Sequence, residues 1–187
     1  YKDYVSSDFS ADGSVRIIQT ATEGNGIDVV IMLDGLVDKD VASGYYDNTT
    51  NYIAEQLFAW EPFKSFRHLF NVYAVTAVSE EYCLDTALGV KKSLSGEYKY
   101  GEETIRTYAM KAISSDRMAN AVVICATPWI GLRANCLLFE SNSKTDYGEG
   151  LGVARVGFRD IGFLEALQHE VCGHGFAKLL DEYIEDG

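Results

Sequence analysis

Three observations predict a fold of the α/β (α+β) class, with a twisted mixed sheet packed against helices. Short, strongly apolar runs alternate with longer segments of helical period. The largely β-branched run Asp28 to Leu33 and the apolar run Ala121 to Cys125 are what strands covered on both faces show. A long helical segment rich in metal-ligating side chains closes the chain.

Tyr1 to Asp12 shows no clear period, and Asp12-Gly13 marks a turn. The first strand is expected over Val15 to Thr20, with Arg16, Ile18 and Thr20 alternating against Val15, Ile17 and Gln19. Glu23-Gly24-Asn25-Gly26 is turn punctuation, and Asp28 to Leu33 should be central in the sheet, ended by Asp34-Gly35. Asp38 or Asp40 can cap a long helix running toward Trp60, with Tyr45, Tyr52, Ile53, Gln56 and Leu57 near one face and Pro62 closing it. Asp34, Asp38 and Asp40 lack the EF-hand spacing, so capping is a better reading than a calcium loop.

Phe66 to Val78 leads into a strand centred on Asn71 to Val75, and this β-helix-β order implies parallel pairing through a right-handed crossover. His68 is read as structural. Residues 79–101 are turn-rich, holding Ser93-Leu94-Ser95-Gly96, Tyr98 and Tyr100, and no element is assigned there. Glu102 to Ile113 is expected to be helical, with Ile105, Tyr108, Ala109 and Ala112 at helical spacing, and Ala121 to Cys125 is a third buried strand. Asn135 to Glu140 and Leu151 to Phe158 are further strands, separated by the polar loop Ser141 to Gly150. Phe163 to about Leu179 is the last helix, with Phe163, Leu164, Leu167, Val171, Phe176 and Leu179 available to anchor it.

The chain has 187 residues, 47% hydrophobic and 24% charged, the size and composition of one globular domain. Its formal net charge of -12, from 16 Lys+Arg against 28 Asp+Glu, argues against nucleic acid as a partner, since a phosphate backbone is held by clustered cations and no basic run appears. The longest apolar runs fall far short of the ~20 residues of a membrane span. The start carries neither an initiator Met nor a signal-like pattern, so the numbering is expected to begin inside a processed or trimmed chain. Cys83, Cys125, Cys136 and Cys172 show no C-x-x-C spacing; Cys125 and Cys136 stand close enough to bridge, with buried free thiols an equal reading. Oligomeric state is not legible.

The chemistry concentrates in Leu167-Gln168-His169-Glu170-Val171-Cys172-Gly173-His174, where two of the three histidines fall within six residues and one is followed directly by a glutamate. This reads as a zinc site. In the familiar H-E-x-x-H pattern a spacing of four places both imidazoles on one helix face. Here the spacing is five, and at about 100° per residue the two side chains would stand about 140° apart on a regular helix. A π-bulge restores convergence, and Gly173 suits that distortion. His169 and His174 are therefore expected as metal ligands and Glu170 as general base, conditional on a widened turn around Val171-Cys172-Gly173. The plainer alternative is an amphipathic helix carrying two surface histidines. Cys172, between them, is assigned to packing.

Asp181 is the candidate third ligand, but a continuous helix would carry it about 10.5 Å beyond His174. The helix must therefore end near Lys178 to Leu180 and the chain fold back. Otherwise Glu182, or a group outside the chain, takes that position.

Gly24 to Gly35, Glu61-Pro62-Phe63-Lys64-Ser65-Phe66-Arg67, Phe70 to Val75, and His169-Glu170 through Asp181-Glu182-Tyr183 together resemble the IgA-peptidase family of bacterial zinc metallopeptidases. The terminal H-E-x-x-G-H-G-F-x-K-L-x-D-E-Y is the most specific part. The resemblance implies a metzincin-like fold with the zinc helix along the cleft floor, and secretion or display at the cell surface or in the periplasm. It supports His169, His174 and Asp181 as ligands and Glu170 as base, and leaves Tyr183 as a residue lining the site. Leu33-Asp34-Gly35 departs from the usual Gly-Asp-Gly. Met32, Met110 and Met118 all precede the helix and cannot form a methionine turn beneath it, so a single catalytic domain incomplete at its C-terminal side is expected.

The activity implied is zinc-dependent hydrolysis of peptide bonds in a protein or peptide substrate. A non-catalytic metal-binding or adhesion domain on the same fold is the competing reading. A strand just before such a helix is where a peptidase places the edge that pairs with an extended substrate.

Overall fold

The computed structural model describes residues 3–84, 86–89, 91–92, 98–99, 101–139 and 151–181. The expected loop Ser141 to Gly150, the segment Ser93 to Gly96, Tyr100, and Glu182 and Tyr183 lie outside them.

Six strands form one mixed sheet: β1 (Val15–Gln19), β2 (Ile27–Leu33), β3 (Phe70–Val75), β6 (Val122–Thr127), β7 (Asn135–Phe139) and β8 (Leu151–Gly157), in the spatial order β1-β3-β2-β6-β8-β7. The four central strands run parallel, while β1 and β7 close the two edges antiparallel to β3 and β8. A short pair, β4 (Lys91–Lys92) and β5 (Tyr98–Lys99), stands apart in the stretch to which the sequence assigns no element.

Alternation along the central strands fills two cores. Val29, Ile31, Leu33, Val122, Ile124, Ala126, Ala154 and Val156 point to one side, and Val30, Met32, Val123, Cys125, Leu151 and Val153 to the other. The first side is covered by α2 (Tyr45–Leu57) and by the C-terminal helical segment, the second by α4 (Glu102–Ala109) and α5 (Ser115–Met118). Parallel strands buried on both faces explain why β2 and β6 read as unbroken apolar runs.

The long helix expected toward Trp60 is two helices. α1 (Asp38–Ala42) gives way at Gly44, whose φ of 77° interrupts the spiral before α2 begins. Asp40 reaches back to the Val37 amide at 3.0 Å and caps α1 as expected. Asp38 instead holds the N-terminal segment, accepting from the Ser7 and Asp8 amides at 2.9 Å each.

The buried face of α2 also differs from expectation. Tyr45 and Tyr52 are exposed, and Tyr46 is buried in their place. Its hydroxyl accepts from the Leu33 amide at 2.8 Å and the Ala77 amide at 3.0 Å, and donates to the Val75 carbonyl at 2.8 Å, tying the ends of β2 and β3 together. α2 ends at Leu57, and Pro62 opens the next short helix, α3 (Phe63–Phe66), rather than closing α2.

All four cysteines are free thiols, with Cys125 and Cys172 buried. No helix among the described residues is long and apolar enough to cross a membrane.

Candidate metal centre

The last helical segment begins as α6 (Phe163–Leu167) and widens into a π-helix over Gln168–Phe176. The Ala177 amide donates to the Cys172 carbonyl at 3.1 Å, five residues back. Such bonding stacks residues five apart, so the expected local bulge is a nine-residue π-helix. Its first residue is anchored: Gln168 Nε2 donates to the Gln56 carbonyl at 3.3 Å. Phe163, Leu167 and Val171 are buried in the core, and Phe176 packs between Phe63 and Phe70 with ring centroids 5.4 and 5.3 Å away. Leu179, expected as an anchor, lies past the helix and is exposed.

The demand for glycine falls elsewhere than expected. A Cβ on Gly173 would meet nothing within 4 Å, whereas one on Gly175 would lie 3.1 Å from a Val122 methyl and 3.3 Å from the Glu170 carbonyl. Gly152 of β8 faces Gly175 across the interface, where a Cβ would lie 3.1 Å from the Gly175 Cα. Two facing glycines let the helix backbone rest directly on the sheet.

At the far end Lys178 adopts a left-handed φ of 55°, and the Leu179 amide donates to the Gly173 carbonyl at 3.1 Å. The helix stops and the chain turns back, as Asp181 requires. His169 Nε2 and His174 Nε2 are 3.1 Å apart, and Asp181 Oδ1 lies 3.1 Å from the first and 3.3 Å from the second. Ligand atoms at about 2.0–2.1 Å from a tetrahedral zinc ion stand about 3.3 Å apart, so this triangle has the dimensions of one face of such a shell. The donor set of two imidazoles and a carboxylate is also one that zinc accepts. His174 Nδ1–H donates to the Leu179 carbonyl at 2.6 Å, which fixes the proton there and turns the Nε2 lone pair toward the shared point.

Glu170 is buried beside this triangle, and its ligating oxygen lies within 4.8 Å of those of His169 and His174. Two triads thus share the histidines; the tighter is the one with Asp181, leaving Glu170 adjacent. Burial pushes the Glu170 carboxyl above its ordinary range, against the pull of both imidazoles and Arg133.

A cleft of about 590 Å³ opens over the site, lined by Glu170, His174 and Asp181 on one side and by Arg133, Asn135, Cys136 and Leu138 on the other. Those last residues lead into and form β7, so an edge strand does border the site. Arg133 and the Leu179 carbonyl leave no signal in the sequence: an arginine before a strand carries no local signature, and a carbonyl carries none at all.

The IgA Peptidase M64 family profile matches residues 15–187. The chain belongs to the IgA peptidase M64 family. It is thereby placed among metallopeptidases, whose substrates are proteins or peptides. No curated protein matches the chain.

Proposed function

We propose that this M64 chain is a zinc-dependent endopeptidase in which His169, His174 and Asp181 hold the metal and Glu170 is the general base. The observation that carries the reading is the convergence of His169 Nε2, His174 Nε2 and Asp181 Oδ1 at 3.1–3.3 Å. Three protein ligands leave a fourth position open, the arrangement of catalytic rather than structural zinc sites. When bound, zinc polarises the scissile carbonyl and brings the pKa of its water toward ~7.

The chain's own groups do the rest. Glu170, buried at the cleft wall, takes a proton from the attacking water and returns it to the leaving amine. A carboxyl whose affinity for protons is raised by burial is suited to both halves of that exchange. The Leu179 carbonyl keeps His174 in the tautomer that offers Nε2. β7, the edge strand of the sheet among the described residues, runs along the cleft, where an extended peptide could add to the sheet. The metzincin-like character and the secreted or surface location implied by the sequence resemblance belong to this proposal.

The test is metal content together with turnover on unfolded protein substrates. Expected are about one zinc per chain, cleavage abolished by chelators and restored by zinc, and a Glu170→Gln variant that keeps the metal and loses cleavage. A Glu170→Gln variant as active as the parent would overturn the assigned role. Metal retained by the parent without any cleavage would favour the binding-domain reading.

A further inference from the structure

Among the described residues outside glycine, Asp3, Cys83 and Lys178 have a positive φ. Lys178 stands at the point where the π-helix ends, a position at which helices favour glycine because a Cβ is disfavoured in the left-handed conformation. A lysine there needs compensation from its surroundings. Its side chain is half-buried.

Everything that completes the metal triangle depends on this one backbone turn. The residue after Lys178 donates its amide to Gly173 and gives its carbonyl to His174 Nδ1, and three residues after Lys178 comes the Asp181 carboxylate at 3.1 and 3.3 Å from the imidazoles. A helix continued through Lys178 would move both groups away along its axis.

We infer that Lys178 is a positioning residue of the metal centre: its left-handed turn delivers the Leu179 carbonyl and Asp181, and its half-buried side chain holds the turn in that conformation. This rests on the metal reading above. The backbone supplies the direction and the aliphatic stem supplies the lock. Glycine would satisfy the first requirement and fail the second, methionine would keep the stem and discard the charge, and alanine would keep the strain while losing the lock.

The experiment measures zinc affinity of chelator-stripped protein by competition with a chromophoric chelator, and the visible spectrum of the cobalt-substituted form. Residues that orient ligands typically contribute about 10–100-fold to metal affinity. On that scale Lys178→Ala and Lys178→Gly should each bind zinc about tenfold or more weakly, with altered cobalt bands, while Lys178→Met stays within about threefold of the parent and keeps its spectrum. Circular dichroism of the metal-free variants separates this from general unfolding, since a lock acting on the turn changes affinity and cobalt spectrum with the helical signal intact. A Lys178→Gly variant equal to the parent in affinity and spectrum overturns the inference, because the side chain then contributes nothing. A Lys178→Met variant as weak as Lys178→Ala overturns the stem as the lock. A parent protein that takes up no metal overturns the metal reading and this inference with it.

Discussion

His174 Nδ1 and the Leu179 carbonyl are 2.6 Å apart, and this contact couples the orientation of one candidate ligand to the turn that supplies another. A carbonyl can only accept, so the imidazole carries a proton on Nδ1, and in the neutral ring this leaves Nε2 as the nitrogen open to a metal. Long-range proton–nitrogen NMR of the metal-free protein at neutral pH should find His174 in the Nδ1–H tautomer. An Nε2–H tautomer would mean that the contact is not maintained in solution.

Asp181 and Glu182 compete for the third position in the sequence, and substitution separates them. Asp181→Ala should weaken zinc binding by at least about tenfold, as loss of a ligand exceeds loss of an orienting group, whereas Glu182→Ala should leave affinity near that of the parent. Equilibrium competition titrations on both variants distinguish the two, and a reversed order would reassign the ligand.

Glu170 imposes a pH-dependent burden on the metal-free fold. Its proton affinity is raised above the ordinary value of 4.5 by burial, so its contribution to stability is present below that value and is lost as pH rises through the folded-state value. At pH 7 the ionised carboxylate is therefore a cost. Metal-free Glu170→Gln should show a higher urea midpoint than the parent at pH 7, and the gain should shrink as pH falls toward 4. A gain that persists undiminished at pH 4 would place its origin elsewhere.

The two glycines of the helix–sheet contact and Gly173 should respond differently to alanine. Gly152→Ala and Gly175→Ala force a methyl against backbone or Val122 atoms at 3.1–3.3 Å, and overpacking of this kind costs about 1–3 kcal/mol. Gly173→Ala meets nothing within 4 Å and should be neutral or stabilising by up to about 1 kcal/mol through helix propensity. Chemical denaturation of the three variants tests the ranking.

Tyr46→Phe removes one hydroxyl and leaves the Leu33 and Ala77 amides and the Val75 carbonyl without it in a buried setting. An unsatisfied buried group costs about 1–3 kcal/mol, so the variant should lose at least about 2 kcal/mol in urea unfolding. A loss below about 0.5 kcal/mol would show that water or a backbone shift replaces the hydroxyl.

What could be read from the chain follows from which signals are local. β2 and β6 are legible because burial on both faces demands apolar runs, and the widened helix is legible because a five-residue histidine spacing has no regular-helix solution. The inward face of α2 differs from the one its sequence pattern suggests. Tyr45, Tyr46 and Tyr52 are chemically alike, and which one is buried is decided by hydroxyl partners on β2, on β3 and just past β3 that lie 13 to 31 residues away. The break at Gly44 is not legible because an isolated glycine inside a helical pattern can be tolerated, and its φ of 77° is a property of the folded backbone. At the candidate site, the return of Asp181 was readable as a necessity of distance, while the means, a lysine in the left-handed region, was not.

The π-helix carries one consequence for how this chain relates to four-spaced zinc helices. Deleting Gly173 would leave His-Glu-Val-Cys-His, a pattern that an ordinary α-helix stacks without distortion. The wide turn thus absorbs one extra residue between two fixed moorings, the core packing of Leu167 upstream and the Gly175 seat on β8 downstream. An insertion event in an ancestral helix would be accommodated here as a local change of pitch, with the imidazoles still meeting and the strands beneath left undisturbed.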